Sequence, residues 1–220
     1  MNLRNFVKYA LFRDTTFGGE FREMQRLAGA DCPNSIVDVG ASNGFYMSNS
    51  FPFIARGWRA VLIEPHPVAF EKFKKLHEDK PEVVCLNFAC AETDGQRPLY
   101  FAKNSSNSSH STLCIDDSPR WRAVRSDKFS MVEVRRLDGI LAEQKIPADF
   151  GILTVDAESM DYEVLLGLDL KKWRPRLIVT ENYEPKDAQK AQHLKAHGYR
   201  HAGQLTVNAF WVKEQEGVWT

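Results

Sequence analysis

The segment that decides the fold is IVDVGASNGFY, at residues 36–46. A short apolar run of strand-forming residues ends at Val39, and Gly40 and Gly44 follow it within five residues. Glycines at these positions permit a tight turn and let a ligand approach backbone N–H groups at the start of a helix. The segment therefore predicts a buried strand, a ligand-binding turn and a following helix.

Strand and helix patterns alternate along the rest of the chain. Because alternating strands and helices form parallel sheets covered on both faces, the pattern predicts a doubly wound α/β fold with a mostly parallel sheet. Two final β-rich runs, 199–203 and 207–212, are too close in sequence for a crossover helix and predict an antiparallel C-terminal hairpin. The other predicted strands are 36–39, 60–63, 83–88, 151–155 and 177–180, with helices after Gly44 and at 68–77, 162–168 and 187–197.

The N-terminal region has a different pattern. Residues 2–12 and 19–28 show helical spacing of apolar side chains and predict a helical cap. We therefore divide the chain into a cap at 1–34 and a single domain at 35–220. The cap either closes a cleft or forms a homodimer contact.

An insertion at 96–136 interrupts the alternation of strands and helices. Two runs in it, 97–102 and 130–136, have the composition of added strands, and the polar loop NSSNSSHST lies between them. Long loops in compact domains are either functional lids or disordered surface insertions. The sequence leaves both interpretations open.

Composition excludes several function classes. The 29 basic and 29 acidic residues give a net charge of zero, so no global field attracts nucleic acid or anionic lipid. The longest apolar runs fall far short of the ~18 residues that a membrane span needs. Arg4, Lys8 and Arg13 interrupt what would be the apolar core of a signal peptide, which favours a cytoplasmic protein. The cysteine spacings indicate neither a zinc site nor a disulfide framework.

Two carboxylates mark the candidate binding site. In an open parallel sheet, ligands bind at the carboxyl ends of the strands, where Asp38 precedes the glycine turn. Glu64 lies twenty residues beyond Gly44, at the end of the next strand. A carboxylate there can accept hydrogen bonds from both hydroxyls of a ribose, so the sequence predicts a nucleoside-type cofactor.

The turn GASNG favours one cofactor over another. Ser42 stands where the dinucleotide pattern G-x-G-x-x-G needs its second glycine, and Asp38 would repel a pyrophosphate. Asp38 would attract a sulfonium or ammonium within ~4 Å, because opposite charges in a partly desolvated cleft attract. S-adenosylmethionine therefore fits better than NAD. An NAD(P)-dependent oxidoreductase remains the alternative enzyme of the same fold.

These segments together resemble the FkbM family of S-adenosylmethionine-dependent methyltransferases. The resemblance covers about residues 35–213. It implies the seven-stranded class I methyltransferase fold, which is Rossmann-like, and O-methylation of a small hydroxylated acceptor such as a sugar, glycan or natural product. The matching segments are IVDVGASNGFY at 36–46, VLIEPHPVAFEKF at 61–73, LNFACAETDG at 86–95, VEVRRLDGIL at 132–141, ILTVDAESMDYEVLLGLDL at 152–170 and RPRLIVTE at 174–181.

The resemblance also implies roles for individual residues. Asp156 and Glu158 would face the junction of cofactor and acceptor, where they are the candidate catalytic carboxylates. The chain departs from the family pattern at Thr154, where the family has lysine, and at Ser159, where it has glycine. The implied cofactor-binding residues are Asp38, Gly40, Ala41, Ser42, Asn43 and Gly44 at the methionine end, Glu64 at the ribose, and Asn87 and Ala89 at the adenine side.

Methyl transfer to oxygen also requires removal of a proton, and two mechanisms are open from the sequence. One uses a histidine base, for which His110 in the polar loop is preferred over His66. The other uses Mg²⁺ held by Asp156, Glu181 and Asn182, in a layout similar to catechol-type O-methyltransferases. A third class, a non-catalytic cofactor-binding scaffold, would bind the cofactor and consume no methyl groups.

Overall fold

The computed structural model describes residues 14–103, 111–113, 123, 125–182 and 186–214. The helices are α1 (Glu20–Ala28), α2 (Phe51–Ile54), α3 (Pro67–Leu76), α4 (Leu137–Glu143), α5 (Asp161–Leu166) and α6 (Asp187–Ala196). The strands are β1 (Ser35–Val39), β2 (Arg59–Ile63), β3 (Val83–Leu86), β4 (Ala89–Cys90), β5 (Gly95–Ala102), β6 (Arg125–Arg135), β7 (Ile152–Val155), β8 (Leu177–Glu181), β9 (Tyr199–Leu205) and β10 (Asn208–Lys213).

Seven strands form the main sheet, in the order β3-β2-β1-β7-β8-β10-β9. The pairs from β3 through β8 are parallel, and β10 runs antiparallel to both β8 and β9. The doubly wound, mostly parallel sheet and the antiparallel C-terminal hairpin are therefore confirmed. The strand order reverses direction at β1, so the carboxyl ends of β1 and β7 flank the point where parallel sheets bind ligands.

Helices cover both faces of this sheet, because consecutive side chains of each strand point to opposite faces. Val37 and Val39 of β1 pack with α4, α5 and α6, through side chains that include Ile140, Val164 and Leu194. Ile36 packs on the other face with α1, α2 and α3, through side chains that include Phe21, Phe53 and Phe73. Burial of one such side chain contributes about 1.5–3 kcal/mol, so both faces hold the sheet in place.

The turn that follows β1 differs from the sequence prediction. The helix expected after Gly44 begins only at Phe51 and is the single turn of α2. The Asn43 side chain accepts hydrogen bonds from the backbone N–H groups of Phe45 and Tyr46, at 3.0 and 2.8 Å, and Met47 has a left-handed backbone (φ 56°). An asparagine that bonds to the following backbone in this way competes with helix formation.

A second, smaller sheet is built from the insertion. Its order is β4-β6-β5, and β5 runs antiparallel to β6, so the two strands expected within 96–136 are confirmed. The predicted strand 83–88 ends two residues early, at Leu86. The chain then leaves the main sheet, and Ala89 and Cys90 pair with β6 in the second sheet. Helix α4 has no counterpart in the sequence prediction, although Leu137, Ile140 and Leu141 show helical spacing.

The described part of the cap is attached firmly to the domain. Helix α1 confirms the predicted helix at 19–28, and its first residue, Glu20, is fully buried. The Glu20 carboxylate accepts hydrogen bonds from Thr206 Oγ1 (2.6 Å) and Asn208 Nδ2 (3.3 Å) in the C-terminal hairpin. The predicted helix at 2–12 lies outside the described residues, and the boundary at residue 34 stays a prediction. None of the helices in the described residues is long and apolar enough to cross a membrane.

A buried ion pair fixes the carboxyl ends of β7 and β8. Asp161 is fully buried and accepts hydrogen bonds from the backbone N–H groups of Ala157 (2.8 Å) and Glu181 (3.0 Å). Lys190 is also buried; its Nζ lies 3.8 Å from Asp161 Oδ2 and 2.9 Å from Asp187 Oδ1, and it donates to the Glu181 carbonyl. The lysine therefore compensates the charge of the carboxylate that holds both loops.

Replacement of Lys190 with methionine tests this role. We expect the free energy of unfolding to fall by about 3 kcal/mol, because removing one partner leaves a buried charge uncompensated. Lys186→Met is the matched control, since Lys186 pairs with Glu163 at the surface and its loss should cost less than about 1 kcal/mol. Denaturant unfolding of both variants measures the difference, and equal losses would contradict the assignment.

Candidate active site

A cleft of about 620 Å³, including space open to solvent, lies at the carboxyl ends of β1, β2 and β7. The strands bring three groups of predicted residues to it. Gly40 and Ser42 come from the turn after β1, Glu64 follows β2, and Asp156 and Glu158 follow β7. Ala89, predicted at the adenine side, also lines the cleft.

The turn after β1 requires glycine for a steric reason. Gly40 has φ +89°, and a Cβ atom there would lie 1.8 Å from the carbonyl oxygen of Asp156. The backbone N–H groups of Gly40 and Ala41 both donate to the Ile63 carbonyl, at 2.9 and 3.0 Å. Gly44 (φ +71°) packs directly on Phe73 of α3: a Cβ atom added at Gly44 would lie 2.5 Å from the Cβ atom of Phe73. The turn is therefore held against β2, β7 and α3.

Glu64 is a buried carboxylate at the floor of the cleft. One oxygen accepts a hydrogen bond from the Ser42 N–H (2.9 Å) and the other from the His66 N–H (2.8 Å). Burial raises the pKa of Glu64 to about 7; the two backbone N–H groups oppose this rise, and the nearby Asp38 adds to it. Each oxygen keeps lone pairs for a ligand, as a ribose-binding carboxylate must.

Asp38 does not line the cleft. It alternates with Val39 along β1, so its side chain points to the opposite face of the sheet, where it is buried. Its carboxylate accepts hydrogen bonds from Ser50 Oγ and from Thr154 Oγ1 (2.9 Å), and Thr154 is its partner in the ladder between β1 and β7. Burial raises the pKa of Asp38. The contact expected between Asp38 and the methionine end of a cofactor stays a prediction.

Three further cofactor-binding candidates, Asn87, Ala41 and Asn43, do not line the cleft. Asn87 is exposed, and its amide donates to the carbonyls of Glu64 (2.8 Å) and Pro65 (3.2 Å), so it fixes the chain after β2. Ala41 is buried in the core, and the Asn43 side chain is engaged by the turn described above. Their positions make them determinants of the shape of the cleft.

The histidines occupy different places. His110 lies outside the described residues. His66 caps helix α3, because its Nδ1 accepts a hydrogen bond from the Ala69 N–H (3.4 Å), and its ring packs on Phe101 at 5.0 Å. Burial lowers the pKa of His66, which keeps the ring neutral as a cap requires. Within the described residues, His66 therefore has a structural role.

The predicted Mg²⁺ site receives no support from the geometry. Asp156 lines the cleft and Glu181 does not, while the Asn182 amide donates to Gln204 Oε1 (2.7 Å). Among the described residues, no group of three or more histidine, cysteine, aspartate or glutamate side chains could hold a metal ion. Of the three predicted ligands, only Asp156 therefore lines the cleft.

Sequence reasoning missed part of the cleft wall. Ser111 and Leu113, at the C-terminal end of the polar loop, both line the cleft, as does Met160. The sequence signal for the first two is the long polar loop itself, which the sequence leaves open between a lid and a surface insertion. Asp161 was also missed, although it opens a helical run directly after the candidate catalytic residues.

Comparison with known proteins identifies the family. A family model described as "Methyltransferase FkbM domain" matches residues 38–201, which is most of the chain. The chain belongs to the FkbM methyltransferase family. No curated protein matches this chain.

Several solved structures are similar to this FkbM methyltransferase at low sequence identity. Two structures of the METTL16 MTase domain match with TM-scores of 0.51 and 0.54, at 14% and 11% identity; they cover 90% and 97% of this chain, and 67% and 79% of theirs. A methyltransferase from Geobacter sulfurreducens gives 0.49 at 14% identity, over 96% of this chain and 87% of that one. At such identities the METTL16 matches show the methyltransferase fold alone.

The two departures from the FkbM pattern now have structural consequences. Thr154, in place of lysine, is the buried hydroxyl that donates to Asp38. Ser159, in place of glycine, has φ 73° and follows Glu158 at φ 49°. Two consecutive residues in the left-handed region carry backbone strain, which is common at functional sites. The loop after β7 therefore keeps a conformation that glycine adopts more easily.

Two glycine variants separate steric contact from backbone strain. Gly57 has φ +80°, and no atom lies within 4 Å of the position that its Cβ would take, so Gly57→Ala should cost only about 1 kcal/mol of unfolding free energy. Gly40→Ala adds a clash with the Asp156 backbone and should cost several kcal/mol or remove cofactor binding. Thermal unfolding and titration with S-adenosylhomocysteine measure both effects. Equal behaviour of the two variants would show that the contact between Gly40 and Asp156 is unimportant.

Proposed function

We propose that this FkbM methyltransferase transfers the methyl group of S-adenosylmethionine to a hydroxyl of a small acceptor, such as a sugar, glycan or natural product. The observation that carries the proposal is one cleft that joins the glycine turn and Glu64 to the carboxylates of Asp156 and Glu158. A nucleoside site and a candidate proton acceptor thus share one space.

The residues present fit S-adenosylmethionine. Gly40 and Ser42 of the turn line the cleft, and Glu64 has oxygen lone pairs for the two ribose hydroxyls. Ala89 supplies an apolar wall beside Phe88 for the adenine side. When bound, the cofactor supplies an electrophilic methyl group on a sulfonium. The family match supports the same cofactor.

Asp156 and Glu158 then act on the acceptor. Both line the cleft after β7, at the junction with the glycine turn, because the Gly40 backbone packs on the Asp156 carbonyl. We assign Asp156 to bind and orient the acceptor hydroxyl and to receive its proton, which is work that a positioned carboxylate performs. Glu158 contributes a second acceptor-facing carboxylate. His110 remains the alternative base.

The alternatives make different demands on the same cleft. An NAD(P)-dependent oxidoreductase needs a glycine where Ser42 stands, and the family match favours a methyltransferase. A non-catalytic scaffold would have no use for two carboxylates opposite the cofactor turn. The proposal also includes a cytoplasmic location and small-molecule or glycan acceptors rather than nucleic acid. For the cap at 1–34 it keeps both alternatives, closure of the cleft or a homodimer contact.

Titration of the purified protein tests the cofactor first. We expect micromolar binding of S-adenosylmethionine and S-adenosylhomocysteine and no binding of NAD, with Glu71→Gln, on the exposed side of α3, as an unaffected control. Transfer of a radiolabelled methyl group to a panel of neutral sugars and glycosides then tests the reaction. Binding of NAD alone would overturn the proposal, and cofactor binding without transfer to any acceptor would favour the scaffold.

Asp156→Asn separates catalysis from binding in the same assay. We expect kcat to fall at least about 100-fold, because the proton acceptor is lost, while affinity for S-adenosylhomocysteine stays unchanged. EDTA should leave wild-type activity intact. A wild-type rate in Asp156→Asn would show that Asp156 is not the proton acceptor. Loss of activity in EDTA that Mg²⁺ restores would support the metal mechanism instead.

The raised pKa of Glu64 predicts a pH-dependent cofactor affinity. The ionised carboxylate accepts both ribose hydroxyls, and with a pKa of about 7 only about one molecule in ten is ionised at pH 6. Affinity should therefore rise about tenfold between pH 6 and pH 8. Calorimetry across this range measures the slope. Glu64→Gln should bind more weakly and lose the slope, whereas an unchanged slope in that variant would assign it to another group.

A further inference from the structure

Ser111 presents an unused hydroxyl to the cleft. Its side chain lines the cavity, its Oγ atom is buried, and none of the described residues is in hydrogen-bond range of that atom. Burial of a hydroxyl without a hydrogen-bond partner is unfavourable, so such an atom in a ligand-binding cleft indicates that a ligand completes its bonding.

The segment that carries Ser111 is fastened at its centre. The backbone of Thr112 bonds to Tyr100 of β5 in both directions, at 2.9 and 3.1 Å. The Thr112 side chain is buried, and its Oγ1 donates to the Glu158 carbonyl at 2.6 Å. Residues 111–113, here named the strap, therefore connect the small sheet to the loop after β7 across the cleft.

A series of contacts connects the strap to the nucleoside side of the cleft. Tyr100, its partner on β5, lies between Leu99, which lines the cleft, and Phe101, which packs on His66 at 5.0 Å. His66 in turn donates its N–H to Glu64, the proposed ribose carboxylate. The strap is therefore connected to Glu64 through β5 and His66, and to Glu158 through Thr112.

We propose that the strap is part of the methyl-donor site and that Ser111 Oγ forms a hydrogen bond with bound S-adenosylmethionine. Thr112 positions Ser111 through its bonds to Tyr100 and Glu158. This inference rests on the proposed function, because it takes S-adenosylmethionine as the ligand of the cleft.

Calorimetric titration with S-adenosylhomocysteine at pH 8, where Glu64 is mostly ionised, tests the assignment. Ser111→Ala should weaken binding about fivefold to tenfold, as expected for one lost hydrogen bond. Ser126→Ala is the matched control: Ser126 also belongs to the insertion, but its hydroxyl donates to the Phe101 carbonyl (3.0 Å) and does not line the cleft. Its affinity should change less than about twofold.

Thr112→Val tests the positioning role through a rate. Valine keeps the shape of threonine and removes the bond to Glu158, so bound S-adenosylhomocysteine should dissociate several-fold faster in stopped-flow measurements, with the melting temperature reported for each variant.

Equal affinity of Ser111→Ala and the wild type would overturn the inference. A larger KM for the acceptor in Ser111→Ala, with unchanged S-adenosylhomocysteine affinity, would also overturn it and assign the hydroxyl to the acceptor. Wild-type protein that binds no S-adenosylhomocysteine would instead refute the proposed function.

Discussion

The close approach of Gly40 to the Asp156 carbonyl is the constraint on which the rest of the site depends. A single methyl group at Gly40 would overlap that oxygen, and the Asp156 N–H bonds to the Val39 carbonyl at 2.9 Å in the same place. Two backbone segments more than a hundred residues apart in sequence therefore touch at the switch point of the sheet. This contact places the turn that would hold a methyl donor beside the loop that would hold an acceptor.

Buried carboxylates around this contact are stabilised in different ways. Asp161 has Lys190 as a counter-ion and two backbone N–H groups as donors, and it holds the loop that carries Asp156 and Glu158. Asp38 and Glu64 accept hydrogen bonds from hydroxyl and backbone N–H groups, which carry no charge, and burial raises the pKa of both. Of these three carboxylates, Asp161 is thus neutralised by a cation, whereas Glu64, which lines the cleft, retains capacity for a ligand. A buried carboxylate without a counter-ion lowers the stability of the fold, and ligand binding at Glu64 can offset that cost.

The accuracy of sequence reasoning varied with the range of the interactions involved. The strand at 36–39 and the hairpin at 199–213 were recognised because their apolar patterns and spacing are local. The helix expected after Gly44 begins only at Phe51, because the Asn43 side chain accepts hydrogen bonds from two backbone N–H groups, which competes with helix initiation. The Mg²⁺ site expected from Asp156, Glu181 and Asn182 gains no support, because a strand end gives the position of a residue and not the direction of its side chain: Asp156 lines the cleft and Glu181 does not.

The sequence by itself determined the strands of the main sheet, the glycine turn, the carboxylate after the second strand and the family to which the chain belongs. These features reside in short segments whose residue types are fixed by local backbone geometry. Only the tertiary structure decided that Asp38 turns away from the cleft to bond Thr154, and that Thr112 ties the strap to Glu158. Such pairs lie 46 to 116 residues apart in sequence, and their contacts exist only after the sheets have assembled. The physical reason is that a hydrogen bond between distant residues is selected by the packing of whole elements, which no local pattern encodes.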